Sequence, residues 1–269
     1  IELCSSSSAH IYFQLPAGLD AALDSLIGLF NENEGLIPWL PSVLIGDDYR
    51  AGLDFLCRLK PKLIITNNTG IAYAAGELGL KWVAGPYLNI TNSYSLLSLQ
   101  GMNGCKGAFI SNELNQQQIR TIRMPEGLNL HYSIYHPIAL MTSRQCLSHQ
   151  VDGCEKSIID SNCISDCNRK SSITNMQGES FIINKEPGNY HTVYNGHNYL
   201  NPDIVSDHPD VFSSFLVDLR DIETNTKVNL DKIRIIELFE GLIQGNLDSV
   251  EELKLKIKET TLKQYNKGI

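Results

Sequence analysis

The sequence has no long apolar run: nothing in it approaches the ~18–20 consecutive apolar residues that a membrane-spanning helix needs. It has no excess of cationic residues. Its 22 Lys and Arg stand against 30 Asp and Glu, a net charge of −8. That argues against a broad nucleic-acid surface, because phosphate binding needs clustered cations; a local basic groove or a partner domain that supplies charge stays compatible with it. The first strand is followed by LPAGLDA rather than G-x-G-x-x-G, so a dinucleotide-binding fold is not indicated. G-x-S-x-G and H-E-x-x-H are absent, and no cysteine stands in a cysteine-protease context. The machinery of the known peptidase classes is therefore not visible. The opening residues IELCSSSSAHIYF lack a basic region and an apolar core, so no secretory leader is visible. The chain opens on isoleucine and reads as an excised piece of a longer protein. Its seven cysteines, four clustered and three dispersed, make no even disulfide framework, and a reducing cytosol is the expected setting.

What is present is an α/β chain of 269 residues, 42% hydrophobic, long enough for one large domain or two small ones. Apolar, β-rich runs at 11–16, 39–45, 62–66, 81–85, 107–111 and 130–136 predict strands. Segments with helical spacing lie between them, at 18–30, 53–59, 70–78, 93–100 and 115–122. Pro41 marks a strand edge or bend, and Asp47 and Asp48 are placed to cap a helix. On the strand 130–136, alternation puts Tyr132, Ile134 and His136 on one face and His131, Ser133 and Tyr135 on the other. Strand and helix alternate every ~20–25 residues, the pattern of βα units on a parallel sheet. The expected fold is a TIM-like α/β barrel, complete or not, with a small β-rich, cysteine-containing insertion. It forms one domain overall, with a barrel portion over 1–145, the cysteine segment over 146–170 and the remainder over 171–269. In that remainder, two or three strands follow Cys167, with turns at Gln177-Gly178 and Pro187-Gly188. FLVDLRDI (215–222) reads as a last barrel strand, before a closing helix that ends near Gly245 and a charged helix over 247–258.

Four cysteines, Cys146, Cys154, Cys163 and Cys167, are spaced C-x7-C-x8-C-x3-C. Four thiolates are enough for one iron–sulfur cluster, and on a helix Cys163 and Cys167 would share a face. The spacing is not a pair of C-x2-C knuckles, which weakens structural zinc without excluding it; unligated thiols or a labile disulfide also remain open. His149 lies within the loop as a substitute ligand. His136 ends a strand, and barrel strand ends face the active site, so it is a candidate base, ligand or substrate contact beside the plainer role of a hydrogen-bonded structural residue. Asn67, Asn68, Asn89 and Asn92 follow strands, where short amides contact a ligand or cap a helix. Glu113 follows another strand, as a mouth carboxylate or a first-turn helix acid.

Taken in order, GPYLNITNSYSLLSL, GAFISNELNQQQI and HYSIYHPIALMTSRQCLSH resemble the collagenase-like peptidase family, family U32. Its members carry an N-x-[ST]-N-S-like turn, then S-x-E-L, then a strand ending in His-Gly with a cysteine ten residues on, and finally C-x3-C-x-R. Asn89 and Asn92 match the first motif here, Ser111, Glu113 and Leu114 the second, His136 and Cys146 the third, and Cys163, Cys167 and Arg169 the last. The tail TLKQYNKGI resembles the family's closing motif. Departures are Pro137 in place of the glycine, Tyr132 in place of a strand acid, and an uncommon spacing for Cys154. Some relatives have two related halves, and the chain resembles a C-terminal half.

The resemblance implies one of two activities. The family label says peptidase. Better understood relatives bind a [4Fe–4S] cluster through four cysteines and take part in hydroxylating a ribosomal cytidine, a transfer-RNA wobble uridine or the ubiquinone ring. The expectation is therefore a cytoplasmic, cluster-bearing barrel domain that serves RNA-base hydroxylation. Cys146, Cys154, Cys163 and Cys167 are its expected cluster ligands, and His136 and Glu113 its catalytic candidates. Asn89, Asn92 and Arg169 are its substrate contacts. The alternatives are a peptidase, metal-dependent or not, and a non-catalytic half that binds RNA or a partner. Expected partners are RNA or a polypeptide and the N-terminal half of the same protein, with no membrane.

Overall fold

The computed structural model describes residues 9–16, 18–151, 153–156, 171–186 and 190–268. Strands and helices alternate from the start: β1 (Ile11–Gln14), α1 (Leu23–Glu32), β2 (Leu36–Leu40), α2 (Asp47–Leu59), β3 (Leu63–Thr66), α3 (Thr69–Glu77), β4 (Lys81–Ala84), α4 (Ser93–Gln100), β5 (Cys105–Phe109), α5 (Gln116–Thr121) and β6 (Asn129–His136). The six strands pair in sequence order, all parallel. Each helix turns one stripe to the sheet. On α2 that stripe is Ala51, Phe55 and Leu56; burying the last two contributes about 1.5–3 kcal/mol each. The helix stops where Lys60 enters the left-handed region at φ 46°.

The chain then leaves the barrel. β7 (Ala139–Ser143), α6 (Leu147–Val151), β8 (Ser171–Thr174), β9 (Ser180–Glu186) and β10 (Tyr190–Asn195) follow. Their strands form a four-stranded sheet in the order β7-β10-β9-β8, with every pairing antiparallel. The chain returns through β11 (Asn198–Leu200), α7 (Ile204–Asp207), β12 (Ser214–Val217), β13 (Lys227–Val228), α8 (Lys232–Ile243), α9 (Leu247–Lys256), β14 (Ile257–Lys258), β15 (Thr260–Thr261) and α10 (Lys263–Lys267). β12 joins β6 in parallel, β11 joins β6 antiparallel, and β15 lies beside β11, which makes a nine-stranded mixed sheet.

Alternation along the strands divides the core in two. Ile64, Trp82 and Ala108 face the helices and join the main core with Phe55, Ile71 and Leu96. Their neighbours Ile65, Val83 and Phe109 face the other way and pack with Trp39 and Leu216, with Tyr12 against them. Tyr12 lies on β1 and Leu216 on β12, near opposite ends of the sheet, yet they share this small cluster. The sheet is therefore strongly curled, with the second cluster inside the curl. Among the described residues no strand ladder joins β12 to β1, so the barrel is incomplete. No helix among the described residues is long and apolar enough to cross a membrane.

Three local expectations are corrected. The second strand spans Leu36–Leu40 rather than 39–45: it begins before Trp39, carries Pro38 within it, and ends ahead of Pro41. Asp47 and Asp48 do not cap α2; they sit in its first turn behind an N-cap Gly46. On β6 the register against β12 advances from Ser133↔Leu216 to Tyr135↔Val217 and skips Ile134. This bulge shifts the alternation, so His136 joins Ser133 on the inner face instead of facing away from it. The turn expected at Pro187-Gly188 lies outside the described residues.

Candidate functional site

A cavity of about 390 Å³ opens where the barrel strands end. Trp39 reaches it from β2, Tyr87 and Asn89 from the loop after β4, and Ser111, Asn112 and Glu113 from the loop after β5. Ser133 and His136 come from β6, Leu216 and Asp218 from the end of β12, and Gln264 from α10. Short-range bonds hold these loops. Asn89 takes the left-handed conformation at φ 53°, which asparagine tolerates better than most residues. Ile90 bridges to Ile110, and the Ser111 N–H donates to the Ile90 carbonyl at 2.9 Å. Asn112 Nδ2 donates to the Ser133 carbonyl at 2.8 Å. The Tyr87 N–H donates to Asn67 Oδ1 at 3.0 Å. That contact needs a glycine beside it, since a Cβ on Gly85 would stand 2.1 Å from the same oxygen.

His136 is buried, and removal of water from its cation lowers its pKa to about 4. Asp218 opposes that shift and Arg220 adds to it. The ring leans on Tyr199, with centroids 5.0 Å apart. Asp218 is buried and tied to Arg220: Nε donates to both carboxylate oxygens at 3.0 Å and Nη2 to Oδ2 at 2.7 Å. Arg220 Nη1 donates to Gln14 Oε1 on β1, and the guanidinium lies 5.8 Å from the centre of the Trp39 ring. Trp39 itself stacks on Tyr87 with centroids 6.4 Å apart.

Four buried polar atoms around this one cavity have no hydrogen-bond partner: Trp39 Nε1, Ser133 Oγ, His136 Nδ1 and Gln264 Oε1. Such an atom costs about 1–3 kcal/mol when it is left unsatisfied. A polar guest in the cavity would satisfy a donor, an acceptor and two groups able to do either. Chemically the site offers a neutral imidazole, two carboxylates, three amides and an aromatic wall.

Of the residues singled out by sequence, His136, Glu113 and Asn89 lie together on this cavity. Asn92 does not line it; it caps α4, with Oδ1 accepting from the Ser95 N–H at 3.0 Å. Asn68 caps α3 in the same way, at 3.1 Å from the Ile71 N–H. Tyr132, at the position of the family's strand acid, is buried in the main core with its hydroxyl 2.5 Å from that of Tyr199. Arg169, Cys163 and Cys167 lie outside the described residues. Cys146 and Cys154 are half-buried free thiols, soft donors of the kind an iron–sulfur cluster needs. His149 on α6 has a buried Nδ1 with no partner. Among the described residues no three His, Cys, Asp or Glu side chains converge as a metal site. Asp218, Arg220 and Trp39 were not foreseen. The signal for the first two was present: D-L-R follows the apolar residues of a strand expected in the barrel, and polar residues at barrel strand ends face the mouth.

No curated protein and no solved structure matches the chain significantly. The sequence model of peptidase family U32 matches residues 46–267, from the start of α2 almost to the end of the chain. That span includes the mouth loops after β4 and β5, His136 and the Asp218–Arg220 pair, and the chain belongs to peptidase family U32.

Proposed function

We propose that the mouth cavity holds an RNA base and that the chain serves its hydroxylation with a [4Fe–4S] cluster. The observation that carries this reading is the set of four unpartnered buried polar atoms around one aromatic-walled cavity. Enzymes that act on a base take it into a snug pocket, stack it on aromatic side chains and read its edge with hydrogen bonds. Trp39 Nε1 offers a donor and Gln264 Oε1 an acceptor. Ser133 and His136 serve as either. The neutral His136 hydrogen-bonds the bound base, and nearby Asp218 favours a share of positive charge on the ring. Glu113 and Asn89 contact the substrate at the rim. Cys146, Cys154, Cys163 and Cys167 would hold the cluster, which when bound supplies one-electron chemistry. Cys146 and Cys154 are free thiols, the state that a cluster ligand needs.

The family's name favours a second reading, peptide hydrolysis, in which His136 and Asp218 activate water. Anaerobic purification with iron and sulfide analysis, with base modification read by mass spectrometry in a deletion strain, separates the two. The first reading expects iron and sulfide in equal amounts, lost in Cys146→Ala, and a hydroxylated base that this variant fails to restore. Stoichiometric zinc without iron, with gelatin cleavage abolished by His136→Ala, would establish the second.

A further inference from the structure

A second cavity, of about 720 Å³, adjoins the mouth cavity along Tyr87, Ala139 and Leu140, which line both. One wall is a face of the four-stranded sheet, where Asn184 and Glu186 on β9 pair with Thr192 and Tyr190 on β10. The opposite wall is the barrel rim after β1 and β2, at Pro16 and Ser42. Arg220 lines this second cavity while its partner Asp218 lines the first. The ion pair therefore stands between them. Both volumes lie in the ~300–1,000 Å³ range of ligand pockets.

We propose that this second cavity is a subsite for the nucleotide next to the base in the mouth, so that the substrate is single-stranded RNA gripped over at least two nucleotides. The proposal rests on the RNA reading above and extends it. Its chemistry suits a nucleotide. Tyr87 and Tyr190 are aromatic rings in the lining, and Asn184, Thr192 and Ser42 are amide and hydroxyl groups for sugar and base edges. The charge is suited as well. Of the carboxylates in the lining, Glu186 already accepts from the Tyr194 hydroxyl at 3.0 Å and Asp221 is paired with Lys232 at 2.8 Å. A guanidinium has five N–H donors. Arg220 uses Nε, one N–H of Nη2 and one of Nη1 on Asp218 and Gln14, and a further bond goes to the Tyr87 hydroxyl. One donor remains for a phosphate oxygen in the cavity the guanidinium lines. In a chain of net charge −8, such a local contact, rather than a basic face, is what a short RNA segment would use.

The test compares a pyrimidine nucleoside with short single-stranded oligopyrimidines of the same base, titrated into the full chain at fixed low salt. Base–aromatic stacking makes the oligomer bind about tenfold or more tightly than the nucleoside. Ser42→Trp and Asn184→Trp place an indole in the second cavity from opposite walls. Each should abolish the oligomer's advantage and leave nucleoside affinity unchanged, with circular dichroism confirming the fold. If the oligomer binds no more tightly, or its advantage survives both substitutions, the subsite is overturned and the RNA reading stands. If neither nucleoside nor oligomer binds, both are overturned. An oligopeptide that binds the wild type and is excluded by both tryptophans replaces the nucleotide as occupant.

Discussion

His136 and His131 are both held neutral by burial, each with a pKa lowered to about 4. An unfolded histidine takes its proton near pH 6.5. Between about pH 6.5 and pH 4 the unfolded chain therefore binds more protons than the folded one, and stability falls as the pH falls. Each ring contributes a slope of about 1.4 kcal/mol per pH unit in that window. Urea unfolding at several pH values should show the slope in the wild type and a reduced one in His136→Gln, with no difference in slope above pH 7. An unchanged slope in the variant would mean that the imidazole is solvated. The sequence singles out His136 by its place at a strand end, but it does not show that either ring is buried. Burial is a property of neighbours, and His136 acquires its neighbours through a bulge on β6 that no strand pattern announces.

At the scale of elements, four asparagines that look alike in sequence do different work. Asn68, Asn92 and Asn115 cap α3, α4 and α5, and Asn115 closes a capping box with Gln118. Asn89 sits in the left-handed region on the cavity rim. Asn92→Ala should cost about 1 kcal/mol of stability and leave nucleoside binding in the mouth cavity unchanged, while Asn92→Asp keeps the cap and the stability. Thermal melts and a binding titration check both halves, and a loss of binding at native stability would move Asn92 into the site. The βα alternation was legible because apolar spacing is a local property and each helix and strand carries its own. The ends of elements were less so: the second strand begins and ends earlier than its apolar run.

At the scale of the molecule, Arg220 after β12 and Gln14 on β1, 206 residues apart, form a hydrogen bond across the open side of the barrel. A hydrogen bond to a charged group contributes about 1.5–3 kcal/mol. Gln14→Ala should lose an amount of that order and speed amide exchange in β1, with β3 and β4 unaffected. Arg220→Ala should cost more, about 3–5 kcal/mol, because it also leaves Asp218 buried without its cation. Equal losses in the two variants would show that the pair with Asp218 contributes nothing beyond the contact across the opening.

The sequence by itself determined the βα alternation, the kinship with the U32 family and three rim residues, His136, Glu113 and Asn89. These rest on short patterns whose spacing is set within one or two elements. Only the tertiary structure decided that Trp39, Ser133, Gln264, Asp218 and Arg220 meet at the same mouth, and that a second cavity adjoins it beneath the four-stranded sheet. The curling of the sheet brings these side chains together from both ends of the chain. Curvature is a sum over all its strands, so no single segment carries it.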